Sequence, residues 1–233
     1  NVGYIKRTSA DTYKAQRRGG KGIMGLTTRE EDFVEKLLIT SSHDMILFIT
    51  TFGRVYSLKG YEIPDAGRTA KGIAIVNLLQ LQPEEKVATM IPITGFDDGK
   101  YLVIATKSGI IKKTELKAYS NMRKGGLIAV ELRDEDELIN AHLVDEDQDI
   151  MMVTRKGMSI RFNEKDVRAT GRDSIGVKGI TLREDDYVIS MDICKPGDSI
   201  LIVTEKGFGK RTDVEEYRPQ TRGGKGLLTY KIS

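Results

Sequence analysis

Few residues of this 233-residue chain have a type and spacing suited to covalent chemistry. Five tyrosines, Tyr4, Tyr13, Tyr61, Tyr119 and Tyr217, could in principle attack a phosphodiester as phenolates. Three of them, Tyr13, Tyr119 and Tyr217, fall ten residues after recurring glycines at 3, 109 and 207, a register that marks packing. The two histidines, His43 and His142, have no cysteine or paired carboxylates at ligand spacing, so no metal site is expected. One cysteine, Cys194, excludes an internal disulfide and a four-cysteine zinc site, and it reads as a small buried hydrophobe. Met151-Met152 reads as core. Gly-Gly-Lys-Gly at 19–22 and 223–226 suggests a nucleotide loop, but the Gly-Lys-Ser/Thr order and the following helix are missing. What remains is binding chemistry. Glycines that allow φ > 0 bring backbone N–H groups close to an anion, and Arg17, Arg18 and Lys21 add long donors to the same loop. No catalysis and no cofactor are expected of this chain.

The elements that must position these loops repeat about every fifty residues. One landmark is an apolar run followed by a turn containing glycine at 53, 109, 157 or 207, with Gly3 reading as a fifth copy whose preceding strand is missing. A second is a glycine before an apolar strand, at 22, 72, 126, 179 and 226. Repeats at this spacing indicate stacked or radially arranged units. The units are approximately 1–22 (partial), 23–72, 73–126, 127–179, 180–226 and 227–233 (partial), in one domain over 1–233. Each is expected to carry a strand such as Ile73–Leu79 or Leu127–Leu132, an acidic turn, and a strand such as Val87–Ile93, Leu138–Val144 or Val188–Cys194. A polar turn and the landmark hairpin complete it. The acidic turns are Glu30-Glu31-Asp32, Pro83-Glu84-Glu85, Asp134-Glu135-Asp136 and Glu184-Asp185-Asp186; Asp97-Asp98-Gly99 is one of the polar turns. β-branched residues bounded by Gly, Asp and Pro give an all-β reading with about four strands per unit, the grain of a propeller blade. The polypeptide is expected to continue past Ser233.

Bulk charge says little, because 37 Lys+Arg against 34 Asp+Glu leave a net charge of +3. The distribution says more. Carboxylates gather at the acidic turns, with nine of them facing one arginine over Glu131–Asp149. Basic residues gather on the last strand of each unit (Lys6, Arg7, Arg54, Lys59, Lys112, Lys113, Arg161, Lys210, Arg211) and on the loop after it. The loops carry Gln16-Arg17-Arg18-Gly19-Gly20-Lys21-Gly22, Arg68 and Lys71, Arg123 and Lys124, Arg172 and Lys178, and Arg222 and Lys225. Equivalent loops of a propeller lie at equivalent radial positions, so these residues should form a curved basic band suited to a phosphate backbone. No apolar run approaches the roughly 18 residues of a bilayer span, and Asn1–Arg7 lacks a signal-peptide layout. A cytoplasmic protein without membrane contact is expected.

The heptapeptide Gln16–Gly22 matches the gyrase-A box, and the chain as a whole resembles the C-terminal domain of the A subunit of bacterial DNA gyrase. Gly3-Tyr4-Ile5-Lys6-Arg7, Tyr61-Glu62-Ile63-Pro64, Gly67–Ile73 and Arg222–Gly226 carry the likeness further. The resemblance implies a β-pinwheel, a propeller-like disc whose blades exchange strands, though five unit markers stand here where six blades are usual. It implies duplex DNA wrapped on the outer rim with positive handedness, in support of ATP-dependent negative supercoiling, with Gln16–Gly22 essential for wrapping. It implies the B subunit of gyrase, together with the rest of the A subunit, as partners in a heterotetramer. It also implies a nucleoid-associated setting and a monomeric isolated domain. ATP and Mg then belong to other parts of the holoenzyme, and the family's catalytic tyrosine to the preceding domain. The corresponding C-terminal domain of topoisomerase IV is the nearest rival, although its box is typically degraded or absent. A protein-interaction propeller is the reading from a different class.

Overall fold

The computed structural model describes residues 3–25, 32–96 and 99–231, so Glu30-Glu31, Asp97-Asp98 and Ile232-Ser233 lie outside the described residues. A hairpin forms wherever an apolar run meets its glycine turn. Met45–Thr50 pairs with Arg54–Lys59, Tyr101–Thr106 with Ile110–Glu115, Asp149–Thr154 with Met158–Asn163, and Ser199–Val203 with Gly209–Asp213. The turn glycines 53, 109, 157 and 207 all sit in the left-handed region, with φ between +72° and +84°, which only glycine enters without cost.

The hairpins are completed by later units. Val87–Ile93, Leu138–Val144 and Val188–Cys194 flank the first strand of the hairpin one unit earlier. Leu127–Ile128, Val177–Lys178 and Leu227–Leu228 flank the second strand from further along the chain, and Tyr4–Ile5 pairs with Ile73–Ala74 in the same way. Three four-stranded antiparallel sheets result, each drawing on three units. Among the described residues the only helical elements are short 3-10 turns. This exchange of strands between neighbouring sheets is the β-pinwheel arrangement.

The flanking strand after each terminal glycine is shorter than expected. Ile73–Ala74 and Leu127–Ile128 make two-residue ladders in place of Ile73–Leu79 and Leu127–Leu132. The reason is competition for the next N–H groups. Ala129 N and Val130 N both turn to the carbonyl of Gly53 (2.8 and 3.2 Å), and Thr229 and Tyr230 do the same to Gly157 (2.8 and 3.2 Å). Ile75 N likewise donates to Gly3 O at 2.7 Å.

This contact also corrects one landmark. Gly179 N and Ile180 N donate to Gly109 O (2.8 and 3.3 Å), so Gly179 occupies the place of Ala129 and Thr229, three residues past the terminal glycine. The terminal glycine of that unit is Gly176, at φ +93°. Gly179 is small for another reason, since a Cβ there would meet Met152 Sδ at 2.5 Å.

A β-bulge recurs at the end of each first strand, at Thr50, Thr106 and Thr154. These threonines are buried, and their hydroxyls accept the N–H of the strand beyond the turn. Thr50 donates to Glu85 and Thr154 to Asp186, each at 2.6 Å, while Ser108 links Thr106 to Asp136. The last carboxylate of each of these acidic turns therefore ties down the hairpin of the preceding unit. Alternate residues of one strand face different sheets. Leu47 and Ile49 pack with Leu102 and Ile104, whereas Ile46 and Phe48 pack with Tyr56 and Ile75. Burial on both faces explains why the first strands read as unbroken apolar runs.

The terminal glycines separate conformational need from close approach. Gly72 and Gly22 both hold positive φ (+90° and +73°), but a Cβ on Gly72 would meet Ile5 O at 2.4 Å, whereas one on Gly22 would meet nothing within 4 Å. Gly22→Ala should cost about 1–2 kcal/mol of backbone strain. Gly72→Ala should cost roughly 1–3 kcal/mol more from overpacking against backbone. Urea unfolding of the two variants checks this, and equal costs would refute it.

Candidate nucleic-acid interface

Gln16–Gly22 follows the 3-10 turn Ala10–Thr12, and every residue of it is exposed. Gly20 N donates to Arg17 O at 3.0 Å, closing a four-residue turn with Gly19 in its third position at φ +86°. Gly22 N donates to Gln16 Oε1 at 2.8 Å, so the side chain of Gln16 spans the loop. A Cβ on Gly20 would lie 2.6 Å from that same oxygen, so a side chain there would displace the Gln16 strut. The strut folds the loop without using Arg17, Arg18 or Lys21. Among the described residues these three side chains have no hydrogen-bond or ion-pair partner. Thr221–Gly224 repeats the turn, with Gly223 at φ +83° in the third position.

Most basic residues on the strands have a different place. At the fourth position after the turn glycine, Arg7, Lys113 and Arg161 grip the 3-10 turn of the next unit. Arg7 Nε donates to Ile63 O (3.1 Å), and Arg161 Nη1 donates to Val214 O and Tyr217 O (2.8 and 3.1 Å) while its fork pairs with Asp149 at 2.7 Å. Lys113 Nζ donates to Glu164 O and forms a buried ion pair with its carboxylate at 2.5 Å. Ile63 and Tyr217 cap the ends of their turns, where a carbonyl has no partner within the turn, whereas Glu164 O and Val214 O already accept Val167 N and Tyr217 N and offer the cation a second lone pair. The backbone supports the same grip. Ala66, Thr170 and Gln220 donate their N–H to Arg7 O, Lys113 O and Arg161 O (3.0, 2.9 and 2.7 Å).

One position earlier, Lys6 donates to Gly67 O and Arg68 O, and Lys112 donates to Ala129 O (2.6 Å) and Arg172 O. Lys210 donates to Thr229 O at 3.2 Å, the counterpart of the contact with Ala129. Arg54 reaches Gly125 O from its own register, and Lys59 bonds His43 O at 3.1 Å.

Two expected rim residues are therefore corrected. Lys112 is 1% exposed and Lys113 7%, so neither can present its charge at a surface. Arg161 is partly buried, and both faces of its guanidinium fork are committed. Arg172 and Arg222 also point back, to Ile128 O and to Asp166 O and Lys178 O respectively. Lys71 lies over the Tyr4 ring, 3.7 Å from its centroid. By contrast Arg123, Lys124, Lys178, Arg211 and Lys225 are exposed, and Arg68 is half-exposed. Lys178 belongs to the strand Val177–Lys178 and not to the loop. Sequence reasoning missed Lys14, Arg168 and Arg218, each exposed and eleven residues past its turn glycine. Their shared register was the available signal.

The candidates for covalent chemistry are placed elsewhere. Tyr119 is fully buried, and burial pushes its phenol up to about 12. Tyr217 is buried and accepts from Thr229 Oγ1 at 2.7 Å. Tyr13 departs from the packing register and is half-exposed. Cys194 is buried, and its thiol is pushed up to about 11 by desolvation, so it is a poor nucleophile. His43 stands edge-on to Tyr61 at 6.1 Å, whereas His142 Nε2 lies 3.4 Å from Asp192 Oδ1, in different sheets. Among the described residues no three His, Cys, Asp or Glu side chains gather as metal ligands, and no helix is long and apolar enough to cross a membrane.

Fold and site together define an all-β pinwheel that projects basic, glycine-rich loops. The family described as DNA gyrase C-terminal domain, beta-propeller, matches residues 3–41, 44–94, 100–145, 148–195 and 198–233, and the chain belongs to it. The DNA gyrase A subunit of Clostridium acetobutylicum is 61% identical over 233 residues, which is all of this chain and 28% of that protein. Its counterpart in Mycobacterium bovis is 46% identical over 230 residues, covering 98% of this chain and 27% of that protein. The chain thus spans little more than a quarter of these relatives. A solved DNA gyrase A C-terminal domain superposes with a TM-score of 0.80 at 31% identity, covering all of this chain and 75% of that one. The C-terminal domain of DNA topoisomerase IV gives 0.81 at 29% identity, covering 97% and 69%.

Lys112 offers a test of the inward cations. Burial holds its ammonium down to about 8, against about 10.4 in an unfolded chain. Between these values the unfolded state binds more protons, so this group's contribution to stability rises with pH from about 8 to about 10.4. Below pH 8 the cost of charging it is present in full. The stability of the wild type relative to Lys112→Met should therefore climb across that window, by an amount on the order of 2–3 kcal/mol. Denaturant titrations at pH 7.5 and 10.5 measure this, and a flat difference would place Lys112 in water.

Proposed function

We propose that this domain binds duplex DNA without sequence preference and wraps it with positive handedness along its outward basic loops. It would thereby support ATP-dependent negative supercoiling by gyrase. The observation that carries the reading is the loop Gln16–Gly22, folded by its own glutamine so that Arg17, Arg18 and Lys21 stay unpaired and exposed. Short loops between strands offer nothing shaped to enter a major groove, so phosphates and not base edges are the natural target. The intact box favours gyrase over topoisomerase IV, whose domain shares the fold. Chemistry is assigned to other parts of the holoenzyme, and the isolated domain neither cleaves DNA nor hydrolyses ATP. Its working partners are the rest of the gyrase A subunit, together with the B subunit, in a bacterial cytoplasm.

Affinity should fall with salt at a log–log slope near −0.9 per phosphate contact, roughly −5 to −9 for six to ten contacts. Wrapping is a separate demand, since bending 20–30 bp through 40–90° costs on the order of 1–6 kcal/mol. The triple change Arg17→Ala/Arg18→Ala/Lys21→Ala in the full-length protein is expected to abolish writhe trapped on ligating nicked circles while removing only part of the affinity. Arg123→Ala/Lys124→Ala should weaken binding modestly and leave writhe per bound molecule nearly unchanged. A slope near zero, or negative writhe in the wild type, would overturn the reading.

A further inference from the structure

We infer that Lys6 is a positioning residue for the basic loop of the next unit, setting the backbone of Arg68 from the inside and leaving DNA to others. The inference rests on the DNA-binding reading above and adds to it which residues hold a phosphate-binding loop in shape. Lys6 extends from the strand edge at Tyr4–Ile5 and donates to two consecutive carbonyls of the loop, Gly67 O (3.2 Å) and Arg68 O. Those carbonyls open the four-residue turn closed by Ala70 N to Gly67 O at 3.0 Å. Lys112 makes the same approach to Arg172 O two units later, from the same third position after its turn glycine. Two independent copies of one contact argue against a chance surface bond.

The chemistry explains the division of labour. An ammonium has three donors and no acceptor, so it can satisfy two converging carbonyls at once. With its carbonyl held from inside by Lys6, Arg68 keeps its side chain half-exposed. Arg68 itself has no side-chain partner among the described residues. Burial lowers the affinity of Lys6 for its proton, consistent with an ammonium turned toward protein and away from water. On sequence alone Lys6 and Arg68 are two equal members of one basic band. The geometry makes one the support of the other.

Coupling between the two residues separates support from direct contact. The test measures binding of the full-length protein to a random-sequence linear duplex across a salt series, for wild type, Lys6→Met, Arg68→Ala and the double variant. Each single change should weaken binding about tenfold, the equivalent of roughly 1.4 kcal/mol. The double variant should be no weaker than the worse single one, because removing Arg68 leaves Lys6 nothing to position. If Lys6 touched phosphate, the losses would multiply and each would flatten the salt slope by about 0.9. Lys6→Arg keeps the charge but puts a planar fork where two carbonyls converge on a point, so it should also lose affinity, and it serves if Lys6→Met lowers the unfolding midpoint. Wild-type affinity in Lys6→Arg, or multiplicative losses, would overturn the positioning role while salt-dependent binding of the wild type stands. Wild-type protein that shows no salt-dependent binding would instead sink the DNA reading itself.

Discussion

The carbonyls of four turn glycines each hold the chain that returns about seventy residues later, and the pinwheel depends on that hold. Gly3, Gly53, Gly109 and Gly157 accept from Ile75, Ala129, Gly179 and Thr229. The carbonyl is available because the glycine has turned into the left-handed region. Once the returning strand is caught there, its N–H groups cannot continue along the ladder, and it leaves after two residues. No unit can therefore complete its own sheet. Contacts so distant in sequence also predict slow folding relative to local β-hairpin architectures.

Cations divide between two tasks by register. At the third and fourth positions past the turn glycine, Lys6, Arg7, Lys112, Lys113 and Arg161 cross to the neighbouring unit and donate to carbonyls of its 3-10 turn or loop. Lys113 and Glu164 show the extreme, a nearly dry ion pair whose desolvation is offset by its own attraction and by added bonds from Lys113 Nζ to Glu164 O and from Asp147 N to Glu164 Oε1. Beyond the 3-10 turn the chain runs outward, and there Arg17, Arg18, Lys21, Arg123, Lys124 and Lys225 are exposed. The same two residue types thus hold the disc together and leave charge on its surface, depending on a shift of about ten residues.

Much of this was legible in the sequence. The hairpins, the long strands Val87–Ile93, Leu138–Val144 and Val188–Cys194, and the strand exchange follow from apolar runs, glycine spacing and the family resemblance. Other features were hidden for identifiable reasons. A repeat of sign and spacing does not tell whether a lysine points to solvent or into the next unit, so Lys112 and Lys113 read as surface residues. Gly179 precedes an apolar run as a terminal glycine should, and the more polar stretch around Gly176 masks the true position. Ala129 and Val130 look like strand residues by type, but their N–H groups are claimed by Gly53. Tyr13 shares its register with Tyr119 and Tyr217, yet it stands beside an exposed loop, half-exposed itself, with its hydroxyl donating to Gly25 O at 3.4 Å.

Inward and outward cations also make one mechanical argument. If duplex DNA is wrapped as proposed, its stiffness pushes the bound arc outward with an elastic energy on the order of 1–6 kcal/mol per 20–30 bp. Loops carried on independently moving sheets would yield to that push, and the duplex would relax by tilting them. Here each sheet is joined to the next by shared strands, by an apolar cluster such as Leu47 with Leu102, and by a cation such as Arg161 on the carbonyls of Val214 and Tyr217. The load on one loop therefore passes into its neighbours. Gln16–Gly22 differs in being exposed throughout and braced mainly by its own glutamine, with Tyr13 half-exposed beside it. A loop of that kind can adjust to phosphate, whereas the joined sheets keep the curvature, and the two properties are most useful when they reside in different parts of the domain.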